Sequence, residues 1–394
     1  MAHSSDDTGA LAREPSRRSR VAPFLAMDVM SAAAAREKAG ASVIHLEVGE
    51  PAAPAPRLAR EAATRALAKG RIGYTEALGR PLLRARIARH YGEAYGIEVD
   101  AAQVIVTTGS SGGFTLAFLA LFDAGARVLI ASPGYPAYRN IMGALGVEVV
   151  EAATSAASGH IVTAAMIEEE HAGQPLDGVL LMSPANPTGA MTEPGALEAI
   201  CAVCDRLGIA FISDEIYHGL TYARPAATAL AFSRRAIVIN SMSKYYCMTG
   251  WRIGWMIAPE SYLRPIERLQ QNLSISVPTL SQIAAEAAFE ARDELEIVKA
   301  GYAANRELLM NELPRIGFGD HHPMDGAFYA YVNVSAFTND SIEFCQRMLA
   351  ETGVATTPGV DFDRLNGHRA LRISYAGPRA DIEEALRRLS VWRK

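Results

Sequence analysis

Lysine is scarce in this chain: Lys38, Lys69, Lys244, Lys299 and Lys394 are the only five among 38 basic residues. Lys244 is also the only charged residue between Arg235 and Arg252, and it follows an apolar run at 236–240. Burial at such a place favours the neutral amine, because an ammonium group loses its hydration there. A neutral amine is both a nucleophile and a base. Desolvated lysines fall to a pKa of roughly 7 to 8, which suits Schiff-base formation and proton shuttling. The competing account is a lysine whose ammonium snorkels to water, and isolation in sequence does not separate the two.

Other apolar runs also end in polar groups, of the types that an aldehyde cofactor carrying a phosphate and a pyridine nitrogen needs. Asp214 closes the run 209–213. A carboxylate there keeps a pyridine nitrogen protonated and makes the ring an electron sink, whereas a plain helix N-cap would need no ligand. Asn186 follows the run 178–182, in a segment that also reads as a simple turn, since Asn-Pro and Thr-Gly are turn dipeptides. Gly109-Ser110-Ser111-Gly112-Gly113 offers N–H groups and hydroxyls to a phosphate at a helix start, although it matches neither G-x-G-x-x-G nor a Walker loop.

These groups must be held by an alternation of helix-period stretches and short apolar strands that runs from residue 57 to about 290. The spacing predicts strands at 103–107, 127–131, 178–182, 210–213, 236–240 and 253–257. That alternation implies an α/β fold, a mostly parallel sheet sandwiched by helices, and such sheets bind ligands at the carboxyl ends of their strands. An Ala-rich helix from Pro23, a strand at 43–48 and the turn Gly49-Glu50-Pro51 precede it; helices and strands at 327–334 and 370–374 follow it. The expected organisation is a loose arm at 1–20 and a large domain at 51–290. A smaller α+β domain is built from 21–50 together with 291–394.

Composition narrows the partners. With 394 residues, 49 % hydrophobic and 21 % charged, the chain is neither disordered nor fibrous. A net charge of −5 lacks the electrostatic footprint of a nucleic-acid binder, so small molecules are expected. The uncharged run 101–122 is long enough to span a bilayer, but the small and hydroxyl residues at 107–113 read as strand, glycine loop and helix start, and no membrane association is expected. Four cysteines and no recognisable signal peptide suit a reducing cytoplasm. Cys201 and Cys204 form a C-x-x-C inside a helical pattern without a second pair, so no metal is expected.

Ser241-x-Ser243-Lys244 followed by Gly250-x-Arg252-x-Gly254, with Asn186-Pro187-Thr188-Gly189 and Asp214-Glu215-x-Tyr217 ahead of it, resembles the class I/II aminotransferases of the fold type I pyridoxal-phosphate enzymes. The resemblance covers roughly residues 20–390. It implies that Lys244 forms the Schiff base with pyridoxal 5′-phosphate and moves the proton between the substrate Cα and the cofactor. Asp214 then pairs with the pyridine nitrogen, and Tyr217 and Asn186 bond the ring oxygen. Ser110, Ser111, Ser241 and Arg252 cradle the phosphate, and Tyr135 stacks on the ring. Arg372 anchors the substrate carboxylate, Gly49 brings backbone toward the substrate, and Tyr74 reaches the phosphate of a neighbouring subunit, which makes the protein a homodimer. Two departures leave the side-chain pocket open: Ala52 and Ala53 stand where the family often has acidic and aromatic residues, and Gly112 where it often has Gln.

The activity implied is transamination from an L-amino acid to a 2-oxo acid. No Lys or Arg occurs at 270–285, where dicarboxylate-specific relatives supply a second cation, so a neutral or aromatic donor is expected. Two alternatives remain at this stage: carbon–sulfur lyase chemistry on the same scaffold, and a non-enzymatic sensor. The latter would need a DNA-binding module, for which about 20 residues ahead of the match are too few.

Overall fold

The computed structural model describes residues 14–392, and every count below is of those residues. Positions 1–13 of the expected arm lie outside them; residues 14–20 are exposed and hold only the 3-10 turn Arg17–Ser19. A two-residue strand β1 (Ile44–His45) stands where 43–48 was expected. Seven strands then form the large sheet: β2 (Val104–Thr107), β3 (Arg127–Ser132), β4 (Glu148–Ala153), β5 (Gly178–Met182), β6 (Ala210–Asp214), β7 (Ile237–Ser241) and β8 (Gly254–Ile257). Their spatial order is β2-β8-β7-β6-β5-β3-β4. The strands from β4 to β7 are parallel, and β8 runs antiparallel to both β7 and β2.

The sheet is buried on both faces, as continuous apolar strands require. Val104, Leu129, Val179, Phe211, Val238 and Trp255 point into one core, while Ile105, Val128, Leu180, Ile212, Ile239 and Met256 point into the other. The alternation within each strand is the period of two expected of a pleated strand. The sequence analysis missed β4. It is an edge strand of intermediate burial carrying Glu148 and Glu151, so its pattern lacks the apolar run that marks the interior strands.

Five helices matter for the site: α1 (Leu25–Lys38), α2 (Arg57–Ala68), α3 (Pro81–Tyr95), α4 (Gly109–Leu121) and α5 (Pro136–Leu145). Proline at the first turn and a left-handed glycine after the last fix the ends of α3 (Pro81, Gly96) and α5 (Pro136, Gly146). Residues 101–122, long enough on paper to cross a bilayer, divide into a 3-10 turn, β2 and α4. No helix among the described residues is long and apolar enough to span a membrane.

The remaining strands, β9 (Tyr329–Asn333), β10 (Val354–Ala355), β11 (Thr357–Pro358) and β12 (Ala370–Ser374), build two small sheets. In one, β1 pairs parallel with β10; in the other, β12 lies antiparallel between β11 and β9. A separate core under them joins Ile44 and Leu46 to Phe328, Phe344, Leu371 and Ile373, so residues near the start of the chain pack with its last third. The helix Arg292–Glu312 links both cores, through Leu295 in the first and Tyr302 and Leu309 in the second.

Ile212 is wholly buried in β6, two residues before Asp214. Ile212→Ala should lower unfolding stability by about 2–5 kcal/mol, the usual cost of such a core cavity. Chemical denaturation of the variant beside the parent measures it.

Candidate active site

The carboxyl ends of β2, β3, β5, β6 and β7 share one edge of the sheet, and because β8 is reversed its amino end lies there too. Each strand delivers one piece of the site to that edge. Ser110 and Ser111 follow β2, Arg252 precedes β8, and Lys244 follows β7. Asp214 ends β6, Asn186 follows β5, and Tyr135 follows β3. With Gly49, Tyr217 and Arg372 they line a cavity of about 380 Å³. The strand order runs from the hydroxyls and Arg252 through Lys244 to Asp214, so two strand spacings, roughly 10 Å, separate β8 from β6.

At the β2 and β8 end, Gly109 takes φ +65°, and a Cβ there would stand 2.6 Å from Arg252 Nη2. Glycine therefore lets the guanidinium lie against the first turn of α4. Arg252 itself is left-handed at φ +49°, its Nη1 donating to Thr249 O at 2.9 Å. A cation, two serines and a helix N-terminus together suit a phosphate.

Lys244 Nζ donates to Gly49 O at 2.6 Å. Burial pulls its ammonium pKa down to about 8, and the neighbouring Arg372 pushes the same way. Asp214 is 1 % exposed. Its Oδ1 accepts from Ile216 N at 3.0 Å and its Oδ2 from the Tyr138 hydroxyl. Both bonds and nearby Lys244 favour the carboxylate, yet burial outweighs them and raises its pKa to about 7. Such a carboxyl is set to take a buried cationic N–H. Tyr217, also buried, shares a 2.8 Å hydroxyl–hydroxyl bond with Tyr329.

Arg372 is 2 % exposed and lies between the rings of Tyr329 and Phe362, at 4.4 and 4.6 Å. Its hydrogen bonds go to neutral acceptors: Asn186 Oδ1 at 3.0 Å, Glu47 O at 2.5 Å and Thr357 Oγ1 at 3.3 Å. Nε has no partner among the described residues. A buried guanidinium without a counter-anion is poised for a carboxylate.

Two residues of the expected set are not brought to this cavity. Ser241 is buried behind it, its hydroxyl donating to Ile253 O at 3.1 Å and standing 2.9 Å from Ser243 Oγ; Ser243 is the residue that lines the wall. Tyr74 is 81 % exposed and does not line this chain's own cavity. Residues 270–285 also stay off the wall, which is completed by Phe24, Met27, Met30 and Val48 on an apolar side and by Glu50. Sequence reasoning missed Tyr138 and Tyr329. Tyr138 falls three residues after Tyr135, a spacing that puts the two on neighbouring helix positions. Cys201 and Cys204 are core residues of the helix Pro194–Leu207, where burial pushes both thiols up to about 12.

Comparison with known proteins agrees with this geometry. The family described as aminotransferase class I and II matches residues 41–389. Valine–pyruvate aminotransferase of Mycobacterium tuberculosis is 51 % identical over 379 residues, covering 95 % of this chain and 97 % of that one. Aspartate aminotransferase of Thermotoga maritima is 32 % identical, covering 92 % and 94 %. A solved aminotransferase from Mycobacterium tuberculosis superposes with a TM-score of 0.94 at 50 % identity, covering 96 % and 99 %.

A lysine depressed to about 8 is charged below that pH and a free amine above it. Capture of Lys244 by an aldehyde reagent, followed by absorbance with Lys244→Ala as control, should therefore rise through pH 8 and level off. A rise that continued toward pH 10.5, the ordinary lysine value, would contradict this environment.

Proposed function

The chain belongs to the class I and II aminotransferases, and from that premise we propose how its residues perform the transfer and on which donor. The reaction is movement of an amino group between an amino acid and a 2-oxo acid. Carbon–sulfur lyase chemistry finds no support among the relatives, whose names are those of transaminases.

The family uses pyridoxal phosphate, and the donor set here fits it. Arg252, Ser110, Ser111 and the start of α4 would hold the phosphate. Asp214 would hold the pyridine nitrogen as a cation, Tyr217 and Asn186 would bond the ring oxygen, and Tyr135 would stack on the ring. The fit rests on two buried ionisable groups without an ion-pair partner within salt-bridge distance among the described residues: a carboxyl that burial raises to about 7, and a guanidinium bonded to neutral acceptors alone. When bound, the cofactor supplies an electron sink for charge developing at the donor's Cα. Ser241 acts from behind, by fixing the turn that carries Ser243 and Lys244.

The protein's own part is positioning and proton transfer. Arg372 takes the donor's carboxylate in a bidentate pair, with Asn186 steadying the guanidinium. This orients the Cα–H bond toward Lys244 Nζ, the base that takes the Cα proton. Tyr138 and Ile216 N hold Asp214 in place, and Gly49 O holds Nζ as the free amine. The single observation that carries this reading is Lys244, desolvated and bonded to Gly49 O, in one cavity with Asp214 and Arg372.

For the donor, we favour an L-amino acid with a neutral aliphatic side chain and pyruvate as acceptor, in line with the name of the 51 % identical relative. The wall of Phe24, Met27, Met30 and Val48 suits such a side chain, and Glu50 opposes a second carboxylate. An aromatic donor is the second choice. We further propose a homodimer in which exposed Tyr74 completes a partner's phosphate site. Ile72 and Leu82, which are 39 % and 63 % exposed and line the hollow beside α2 and α3, support a face covered by a second copy. The division into domains at 21–50 with 291–394 and at 51–290 is supported by the core that joins Ile44 and Leu46 to residues of the last third, to which Ile216, Tyr217 and Leu220 of the large domain also contribute. A reducing cytoplasm is supported by Cys201, Cys204, Cys247 and Cys345, all buried as thiols.

Lys244→Ala should abolish turnover, a loss on the order of 10⁴-fold or more if the lysine is both nucleophile and base. With pyruvate as acceptor, kcat/KM for valine should exceed that for aspartate by about 100-fold, the scale of an uncompensated carboxylate facing Glu50. Coupled assays of 2-oxo acid release measure both. Turnover by the alanine variant would overturn the role of Lys244, and preference for aspartate would overturn the donor.

A further inference from the structure

Phe24, Met27 and Met30 of the cavity wall come from the start of α1, which is anchored in an unusual way. Only Ala26 and Ala33 of α1 are buried. Ala33 meets Leu349 and Ala355 in a core of three residues, so the later turns of the helix are pinned by packing. In the first turn Ala26 is buried and Phe24 packs on Tyr135, but the N-cap, Phe24, offers no side-chain acceptor for the free N–H groups.

Asp361, distant in sequence, supplies that acceptor. Its Oδ1 takes Leu25 N at 3.2 Å and its Oδ2 takes Ala26 N at 3.2 Å. The carboxylate is 2 % exposed and its backbone is fixed in turn: Arg139 Nη2 donates to Asp361 O, and Gly134 N donates to Phe362 O at 3.0 Å. The same short turn therefore touches three parts of the site. Asp361 caps α1, Phe362 lies under the guanidinium of Arg372, and Gly134 is the neighbour of Tyr135. Phe24 meets Tyr135 edge-on at 5.9 Å, while Met27 at the cavity mouth stays 44 % exposed despite being apolar. The start of α1 thus lines the cavity, and the Asp361 carboxylate caps its free N–H groups there.

We propose that Asp361 is a positioning residue: by capping α1 from the small lobe it holds Phe24, Met27 and Met30 over the cavity, and so sets the preference for bulky aliphatic donors over small ones. The inference rests on the aminotransferase reading with an aliphatic donor. A donor as large as valine needs that wall to bury its side chain; alanine, with a single methyl, does not reach it. The capping charge also suits the positive end of the helix dipole, so Asn, with one acceptor and no charge, replaces it in part.

The test compares Asp361→Ala and Asp361→Asn with the parent, all loaded with pyridoxal phosphate, by two readouts. In the half-reaction without acceptor, followed by cofactor absorbance, Asp361→Ala should raise the apparent KM for valine about tenfold, the equivalent of one lost cap. Its maximal rate and the KM for alanine should stay within about twofold, and Asp361→Asn should fall between. Backbone amide exchange over residues 25–30 should quicken about tenfold in Asp361→Ala while that over the strand β6 is unchanged. Equal losses for valine and alanine, or unaltered exchange in α1, would overturn the proposal. A parent enzyme inert to both donors would overturn the donor reading instead, and the exchange measurement, which needs no substrate, would still decide whether Asp361 holds α1.

Discussion

Burying a charge without a counter-charge is expensive, and proteins do it where a ligand is to supply the missing partner. Here it happens twice in one cavity. Asp214 is held by a tyrosine hydroxyl and a backbone N–H, and neither neutralises it; Arg372 is held by a side-chain amide, a carbonyl and a hydroxyl. Between them stands Lys244, whose own ammonium is disfavoured both by burial and by Arg372. Each of these groups perturbs the others, and a ligand with a cationic ring nitrogen and a carboxylate-bearing substrate relieves all three. The surrounding hydrogen bonds hold the polar atoms in place without satisfying their charge, which leaves the cavity selective for ligands that do.

Such an arrangement demands rigid supports from different parts of the chain, and the sheet provides them. Neighbouring strands are locked side by side with both faces in packed cores, so the residues at their ends cannot drift. The reversal of β8 is what brings Arg252 to the edge occupied by the parallel strands, beside Gly109 and Ser110. Arg372 on β12 and Tyr329 on β9 come from elements that share a core with Leu46, close to Gly49, and the turn that carries Asp361 adds the cap on α1.

Much of this is legible in the sequence, for a physical reason. A lysine, an aspartate and an arginine at the margins of apolar runs break the binary pattern, and such breaks concentrate at functional sites. Asn186, Ser110 and Ser111 follow from turn and helix-start chemistry. The parts that escape are those whose role exists only after folding. Tyr138 meets Asp214 across 76 positions, Tyr329 meets Tyr217 across 112, and Asp361 meets Leu25 across 336. No local spacing signals Tyr329 or Asp361, and the three-residue step from Tyr135 to Tyr138 marks a shared helix face without naming Asp214 as the partner. The assignment of Ser241 differs for another reason: at the end of a buried strand its hydroxyl turns to the carbonyl of Ile253, and its neighbour two residues on takes the place on the wall.

The central claim is that Asp214 awaits a cationic ring nitrogen. Titrating cofactor-free protein with pyridoxal phosphate, by absorbance and without any amino acid, tests it for the parent and for Asp214→Asn. Loss of a buried charge-assisted hydrogen bond of about 1.5–3 kcal/mol corresponds to binding about ten- to a hundredfold weaker. That is the result expected; equal affinity in the two proteins would contradict the account.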